Sequence, residues 1–167
     1  LWFSYPGYNE LLSGSADDIR IRSNDKVPNP NKTFLEYLNE MPAYRNKVMA
    51  FGGWDVFPFI INETRSGIPV NSGFIPAEGT TLSETEKLLN RLQEEIRGPW
   101  ESVRLDPFTH HYALEALKNR KPRILYIAYG ETDEWAHAGN YKSYLNAAHQ
   151  VDEWIDELWT MIQHLPQ

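Results

Sequence analysis

The sequence predicts an α/β protein in which helices cover both faces of a mainly parallel sheet, an α/β/α sandwich of three layers. Two apolar runs predict buried strands: residues 47–51, which run into two glycines, and residues 124–129, which follow a proline and end at Gly130. Helical patterns precede and follow each run. This alternation of strands and helices is typical of parallel sheets, whose ligands bind at the carboxyl ends of the strands.

Five segments have the spacing and end signals of helices, and they are separated by segments rich in Asn, Ser, Pro and Gly at 15–32 and 62–79, which predict loops. Two of them begin with a capping box, Thr33 with Glu36 and Ser83 with Glu86. The last one carries one apolar side: Tyr144, Leu145, Ala148, Val151, Ile155, Leu158 and Ile162. The predicted helices are 6–14, 34–41, 81–96, 106–121 and 141–165.

Composition narrows the classes of function. The 167 residues suit a single domain, 1–167, and the net charge of −7 argues against binding to nucleic acid or to anionic membranes. No apolar run is long enough to span a membrane. Because the chain has no cysteine, any metal must be held by Asp, Glu, His or a hydroxyl oxygen.

An acidic cluster with one histidine follows the second predicted strand, in the sequence "GETDEWAHAG". Asp133 and His137 are four residues apart, so one turn of helix places carboxylate and imidazole on the same face. A zinc or manganese ion suits this mixed pair of ligands. Alone, such a pair is more often part of a solvated acidic turn, and the position after a strand adds weight to a ligand site without deciding between the two.

A serine lies at the start of the first helix, in "SYPGYNELLSG". The free N–H groups of a helix N-terminus favour anions, and a hydroxyl at that place suits a nucleophile that attacks phosphate or sulfate. A neighbouring metal ion lowers the pKa of such a hydroxyl. Read alone, a serine in this position is more often a plain N-terminal loop or cap serine than a nucleophile.

Together these motifs resemble those of the alkaline phosphatase superfamily. "SYPGYNELLSG" is similar to its nucleophile motif, with Ser4 at the nucleophile; "IRIRSN" is similar to the next segment, with Asn24 at a residue that holds the transferred group. "ETDEWAHAG" is similar to its D-x-x-x-H motif, with Asp133 and His137 as ligands of one metal ion. The resemblance extends over nearly the whole chain.

The resemblance implies a metal-dependent hydrolase of small phosphomonoesters or phosphodiesters. Ser4 would be the nucleophile and a metal ligand, and Asn24 would bind the phosphoryl group. Two divalent ions are implied, zinc or else manganese. A phosphoglycerate-mutase-like phosphotransferase and a catalytically silent domain of the same fold remain alternatives. Tyr8, where sulfatases have Arg, argues against a sulfatase.

The superfamily's first strand, with its Asp, and its later Asp-His pair and His have no match in this sequence. The resemblance therefore implies a central piece of a larger domain, in which activity belongs to the longer protein. Missing strands would expose sheet edges, so pairing with a second copy is expected. The relatives favour a periplasmic or secreted bacterial protein.

Two further residues are candidates for substrate binding. Asp55 follows the first strand, and Arg65 could bind an anionic group through two parallel hydrogen bonds. The competing interpretations are a turn aspartate and a surface salt bridge.

Overall fold

Helices and strands alternate along the chain in the computed structural model, which describes residues 2–165. The helices and strands of this range are α1 (Ser4–Ser13), α2 (Phe34–Glu40), β1 (Val48–Gly52), α3 (Phe57–Ile60), α4 (Glu63–Ser66), β2 (Val70–Ser72), α5 (Glu84–Glu95), α6 (Asp106–Asn119), β3 (Ile124–Ala128), α7 (Glu131–His137) and α8 (Tyr141–His164).

The three strands form one parallel sheet in the order β2-β1-β3. The central strand β1 is buried along its whole length, as expected for a parallel strand that is covered on both faces. Ala50 lies between Val70 of β2 and Tyr126 of β3. The fold class predicted from the sequence is therefore confirmed, with a sheet of three strands.

Side chains of β1 alternate between two apolar cores because successive residues of a strand point to opposite faces. Val48 and Ala50 pack in the core that contains residues of α1, α2 and α3. Met49 and Phe51 pack in the other core, which contains residues of α5 and α6. The result is the layered α/β/α arrangement, in which α1 and α6 lie on opposite faces of the sheet.

The prediction of a loop over residues 62–79 is wrong, because α4 and β2 lie within it. Three residues are too few to show the alternation that identifies a strand, and Pro, Gly and Asn surround them. Pairing with β1 defines β2 instead, and the Glu63 carboxylate accepts a hydrogen bond from the Val70 N–H at 2.9 Å.

Two predicted capping boxes differ in outcome. Ser83 and Glu86 form the complete box at the start of α5. At α2, the Thr33 hydroxyl accepts from the Glu36 N–H, but the Glu36 carboxylate binds Arg65 rather than the Thr33 N–H. The box predicted at Thr33 is thus only half formed, because a guanidinium competes successfully for the carboxylate.

The long helix α8 packs through a different side from the predicted one. Its one buried residue is Trp154, which stacks on the His110 ring of α6 at 4.7 Å. Glu157 and His110 form a 2.9 Å hydrogen bond between carboxylate and imidazole. The predicted apolar side, including Leu145, Ile155 and Ile162, lies at the surface. None of the helices within residues 2–165 combines the length and apolarity needed to cross a membrane.

Arg65 holds the segment before α2 in place. Its guanidinium donates two hydrogen bonds to the Glu36 carboxylate, at 2.9 and 2.8 Å, and others to the carbonyls of Asn29 and Asn31. The Glu36 side chain is nearly buried, so Arg65 is the cation that makes its burial tolerable. Because these hydrogen bonds engage its donors, the Arg65 guanidinium is not available to bind an anion in the cleft described below.

We expect Arg65→Ala to lower the free energy of unfolding by roughly 2 kcal/mol, which is less than the roughly 3–5 kcal/mol for a broken buried pair because Arg65 itself is partly exposed. Lys32→Ala is the control: it removes a pair with Glu40 in which both side chains are exposed, and should cost less than about 0.5 kcal/mol. Urea denaturation followed by circular dichroism measures both. Equal stabilities of the two variants would contradict the structural role of Arg65.

Candidate functional site

A cleft of about 570 Å³ lies at the carboxyl ends of β1 and β3. Its walls come from one face of α1, the residues that follow β1, the segment before α6, and α7. The lining residues are Ser4, Gly7, Tyr8, Leu11, Asn24, Trp54, Phe57, Ser102, Val103, Ala128, Tyr129, Gly130, Thr132, Asp133, Glu134 and His137. This is the edge at which ligands bind in open parallel sheets.

Four of the six residues predicted from the sequence line this one cleft: Ser4, Asn24, Asp133 and His137. They come from three segments that lie far apart in the chain. The other two candidates, Asp55 and Arg65, do not line it. Asp55 pairs with Lys26 at 2.6 Å, and Arg65 is bound to the nearly buried Glu36 and to the Asn31 carbonyl, so both charges are engaged outside the cleft.

Ser4 is the first residue of α1 rather than a turn residue before it, and Phe3 occupies the N-cap position. The helix begins two residues earlier than predicted. Pro6 allows this because the N–H groups of the first turn have no partner within a helix, so a proline there costs no hydrogen bond. The exposed Ser4 side chain therefore lies at a helix start where Pro6 has no N–H and the Tyr5 N–H is bonded to Asn24, which leaves the Ser4 N–H as the helical donor without an intrahelical partner.

Asn24 is bound directly to this helix start. Its Oδ1 accepts a hydrogen bond from the Tyr5 N–H at 3.0 Å, which compensates for the missing cap at Phe3. With the oxygen in this bond, the amide NH₂ group is the part of Asn24 that remains available to a ligand. Such a group is a donor, suited to an anionic oxygen.

Asp133 and His137 are neighbours on α7, as their spacing predicts. The Asp133 Oδ2 and His137 Nε2 atoms are 3.5 Å apart, and both side chains are mostly exposed to the cleft and solvent. Within residues 2–165, no third His, Cys, Asp or Glu joins them in a group that could hold a metal ion. The pair thus presents one carboxylate and one imidazole side by side at the cleft.

The start of α7 is fixed by two carboxylates that cap each other's helix. Asp106, at the start of α6, accepts hydrogen bonds from the N–H groups of Gly130 and Glu131 at 2.7 and 2.9 Å. In return the Glu131 carboxylate accepts from the Asp106 N–H at 2.8 Å. This exchange holds the beginnings of α6 and α7 together beside the cleft.

Glycines make room for this exchange. A Cβ atom on Gly130 would lie 2.8 Å from the Val103 side chain, and one on Gly53 would lie 3.2 Å from the Gly130 nitrogen. The ends of β1 and β3 can therefore approach closely, and the Asp106 carboxylate reaches between them. The sequence shows these glycines only as strand ends, so their packing role was not predicted.

Several lining residues were missed by sequence reasoning. Gly7, Tyr8 and Leu11 share one face of α1 with Ser4, at spacings of three, four and seven residues. Helical periodicity counted from Ser4 could have identified them. Burial, and then the charges of Asp133 and Asp106, raise the pKa of the Tyr8 hydroxyl, so it remains a proton donor beside the cleft at neutral pH.

The cleft is acidic. Asp133 and Glu134 line it, whereas no Lys or Arg is among its lining residues. Partial burial and the adjacent Asp133 raise the pKa of the Glu134 carboxyl, and His137 lowers it. An anionic ligand in this cleft therefore requires cations that no Lys or Arg among the lining residues supplies.

No protein family matches this chain, and neither a curated protein nor a solved structure shows significant similarity to it.

Asp106 should give the protein a measurable pH dependence. Burial raises the pKa of its carboxyl to about 6, despite the lowering effect of the two N–H donors. Because the folded protein then binds this proton more tightly than the unfolded chain, stability contributed here decreases as pH rises from about 4 to about 6. A difference of about two pKa units corresponds to about 3 kcal/mol.

Asp106→Asn, which cannot titrate, should lack this decrease. We expect the stability advantage of the wild type over the variant to be larger at pH 4.5 than at pH 7, as measured by urea denaturation at four pH values. A difference that is constant over this range would contradict the raised pKa of Asp106. Asp156→Asn, on the exposed surface of α8, controls for the general effect of removing one carboxylate.

Proposed function

We propose that this chain carries the nucleophile and one metal-ligand pair of a metal-dependent phosphoester hydrolase. The observation that supports the proposal best is the convergence of Ser4, Asn24, Asp133 and His137 on one cleft at the carboxyl edge of the sheet. These are the residues that the sequence resemblance to the alkaline phosphatase superfamily identifies. Their convergence involves segments more than a hundred residues apart, which sequence spacing alone does not require.

In this proposal Ser4 and Asn24 handle the phosphoryl group. The Ser4 oxygen attacks phosphorus in line with the ester oxygen, which departs with a proton as the free alcohol, and a phosphoseryl intermediate forms. The NH₂ group of Asn24 and the Ser4 N–H at the start of α1 donate hydrogen bonds to the remaining phosphoryl oxygens. Water then attacks phosphorus, releasing inorganic phosphate (or its monoester) and restoring Ser4.

Asp133 and His137 are the residues that would hold a divalent ion. Carboxylate and imidazole are ligands that zinc and manganese accept, and both side chains are open to the cleft. When bound, such an ion would lower the pKa of the Ser4 hydroxyl and compensate the charge of the phosphoryl oxygens. Two side chains do not complete a coordination shell, so the proposal requires further ligands; the Ser4 oxygen and the substrate are two of them.

The negative charge of the cleft is the reason why substrate binding would require a metal ion. A phosphoester brings one or two negative charges to a site lined by Asp133 and Glu134 and by no Lys or Arg. At a separation of about 4 Å, repulsion between unit charges amounts to several kcal/mol near a protein surface. Binding of substrate without metal is therefore expected to be weak.

A phosphotransferase would use the same residues, with a second alcohol in place of water, and differs only in its product. A catalytically silent domain is the alternative favoured by a particular observation, since only two metal ligands meet in the cleft within residues 2–165. Elemental mass spectrometry of the purified chain, and then of the whole protein that carries it, separates the silent domain from the enzyme hypotheses. The silent domain predicts no tightly bound zinc or manganese in either protein.

We expect Ser4→Ala to abolish turnover of phosphoesters by the whole protein while zinc or manganese is retained, because the Ser4 hydroxyl is a weaker metal ligand than the Asp133 carboxylate and the His137 imidazole. His137→Ala should lose both, because it removes a ligand. For each variant we would measure the hydrolysis of p-nitrophenyl phosphomonoesters and phosphodiesters, and separately the amount of bound metal. Ser13→Ala, on the same helix but outside the cleft, is the control. Full turnover in Ser4→Ala would remove Ser4 from the mechanism, and full metal content in His137→Ala would remove the metal site.

Gly7 provides a test that separates function from stability. It lies inside α1 and lines the cleft, and a Cβ atom there would meet nothing within 4 Å. Because alanine is the better helix former, Gly7→Ala should stabilise the protein by about 0.5–1 kcal/mol. The added methyl group reduces the space beside Ser4, so we expect kcat/KM to fall several-fold.

Thermal denaturation and phosphoester turnover measure the two effects independently. A variant that is more stable and equally active would show that ligands do not approach this face of α1. Glu10→Ala, an exposed residue of the same helix, controls for changes in helix stability alone.

A further inference from the structure

The two edges of the sheet differ in how they are protected. At the β2 edge, the Glu63 carboxylate accepts from the Val70 N–H at 2.9 Å. The Asn71 side chain donates to the carbonyls of Ile75 and Pro76, so the following segment folds beside the strand. Short strands and edge groups that are already bonded are common ways to prevent pairing with another chain.

The β3 edge has no such protection within residues 2–165. The Ile124 N–H donates to the Lys47 carbonyl, and the Ala128 carbonyl accepts from the Gly53 N–H, so alternate residues of β3 are bonded towards β1. The N–H and C=O groups of Leu125 and Ile127 therefore point to the open side. Four of the five β3 side chains are only partly buried, whereas every residue of β1 is buried.

An apolar stripe on α8, the second helix after this edge strand, is also uncovered. Apolar residues recur at intervals of three and four from Tyr141 to Ile162, the spacing of helices that pack against helices. Six large apolar side chains of α8 are between 36% and 72% exposed: Tyr141, Tyr144, Leu145, Ile155, Trp159 and Ile162. These six residues are called the α8 stripe below.

We propose that the open edge of β3 and the α8 stripe together form a dimer interface with a second copy of this chain. The inference concerns residues 1–167 as a chain of their own and does not depend on the proposed hydrolase activity; in a longer protein of the kind that the resemblance implies, a further strand of the same protein would compete for the β3 edge. It rests on two uncovered features that one two-fold axis can cover at the same time.

The β3 edge is complementary to itself. If two β3 strands pair antiparallel about an axis at Tyr126, Leu125 of one copy lies opposite Ile127 of the other. These are the residues whose N–H and C=O groups point outwards, so both pairs exchange two hydrogen bonds and no outward group of the strand centre remains unpaired. A closed two-fold contact of this kind joins the sheets into one of six strands.

The same axis brings the two α8 helices together on one face of the joined sheet. Trp154 stacks on His110 of α6, so α8 lies on the α6 side of the sheet in each copy. A two-fold axis perpendicular to the sheet makes the two helices antiparallel. Their apolar stripes can then cover each other and the partly exposed Leu125 and Ile127, which already pack against the α6 core.

The exposed area is sufficient for a stable dimer. At about 200 Å² for a large apolar side chain, the exposed fractions of the α8 stripe amount to roughly 600 Å² per copy. The strand edge adds to this, which approaches the ~800 Å² per partner of a standard interface. A patch of this size is larger than monomeric proteins normally leave in contact with water.

Sedimentation velocity and hydrogen exchange test the proposal together. The wild-type chain at 10 µM should sediment with twice the 19.4 kDa mass of one chain. The amide hydrogens of Leu125 and Ile127 should exchange slowly in this dimer and at least tenfold faster on dilution to monomer. The amides of Ile124 and Tyr126, bonded towards β1, should remain slow in both states.

Ile155→Lys and Glu153→Gln are a matched pair, because each raises the net charge by one. Ile155 belongs to the stripe, whereas Glu153 is an exposed polar residue outside it. We expect Ile155→Lys to raise the dissociation constant of the dimer at least tenfold, and Glu153→Gln to leave it unchanged. Ile155→Ala, which keeps the helix intact, should weaken the dimer several-fold and replaces the lysine variant if circular dichroism shows that variant to be unfolded.

Three results would overturn the proposal. The first is a wild-type chain that is monomeric at 100 µM. Fast exchange of its Leu125 and Ile127 amides would then mean an open edge, and slow exchange would mean that another segment of the same chain covers it. The second is a dimer in which these amides exchange fast, since it would use another surface. The third is a dimer that Ile155→Lys and Ile155→Ala leave as tight as the wild type.

Discussion

The exchange of hydrogen bonds between Asp106 and Glu131 is the interaction on which the geometry of the cleft depends. Helix α7 has no buried residue of its own, so packing against the core does not fix its direction. The Asp106 carboxylate, held inside the protein at the start of α6, binds the first N–H groups of α7, and Glu131 binds back to α6. Asp133 and His137 therefore face α1 because a buried acid fixes the turn that precedes them.

Arg104 explains how that buried acid is tolerated. Its side chain is fully buried, donates to Thr109 and to the side chain and carbonyl of Asn71, and lies over the Tyr112 ring. Burial lowers the pKa of Arg104 to about 9, so the guanidinium is still charged at neutral pH and attracts the Asp106 carboxylate from a distance. One buried cation thus connects the end of β2, the start of α6 and the wall of the cleft.

Sequence patterns predicted the helices and strands that have a regular hydrophobic periodicity, and missed the features that depend on contacts between residues far apart in the chain. The strands β1 and β3 and the amphipathic α5 follow from periodicity, and the Asp133–His137 pair follows from helical spacing. The strand β2 exists because β1 is beside it, Arg65 takes Glu36 away from its predicted cap, and Trp154 rather than the predicted apolar side attaches α8. The capping role of Asp106 also escaped prediction, because its partners lie 24 and 25 residues away.

The uncovered surface and the cleft are joined through one small helix. The helix α7 packs against α8, whose own attachment to the protein includes Trp154 and the Glu157–His110 hydrogen bond. With its α8 stripe open to water, α8 is held along one side. The helix α7 is in turn held by α8, by the Asp106 cap and by the contact of its Trp135 ring with Trp100 at 4.8 Å. A second copy packed on the α8 stripe would restrict the motion of α8 and, through it, of α7. The side chains of Asp133 and His137 would then be better ordered for binding a metal ion.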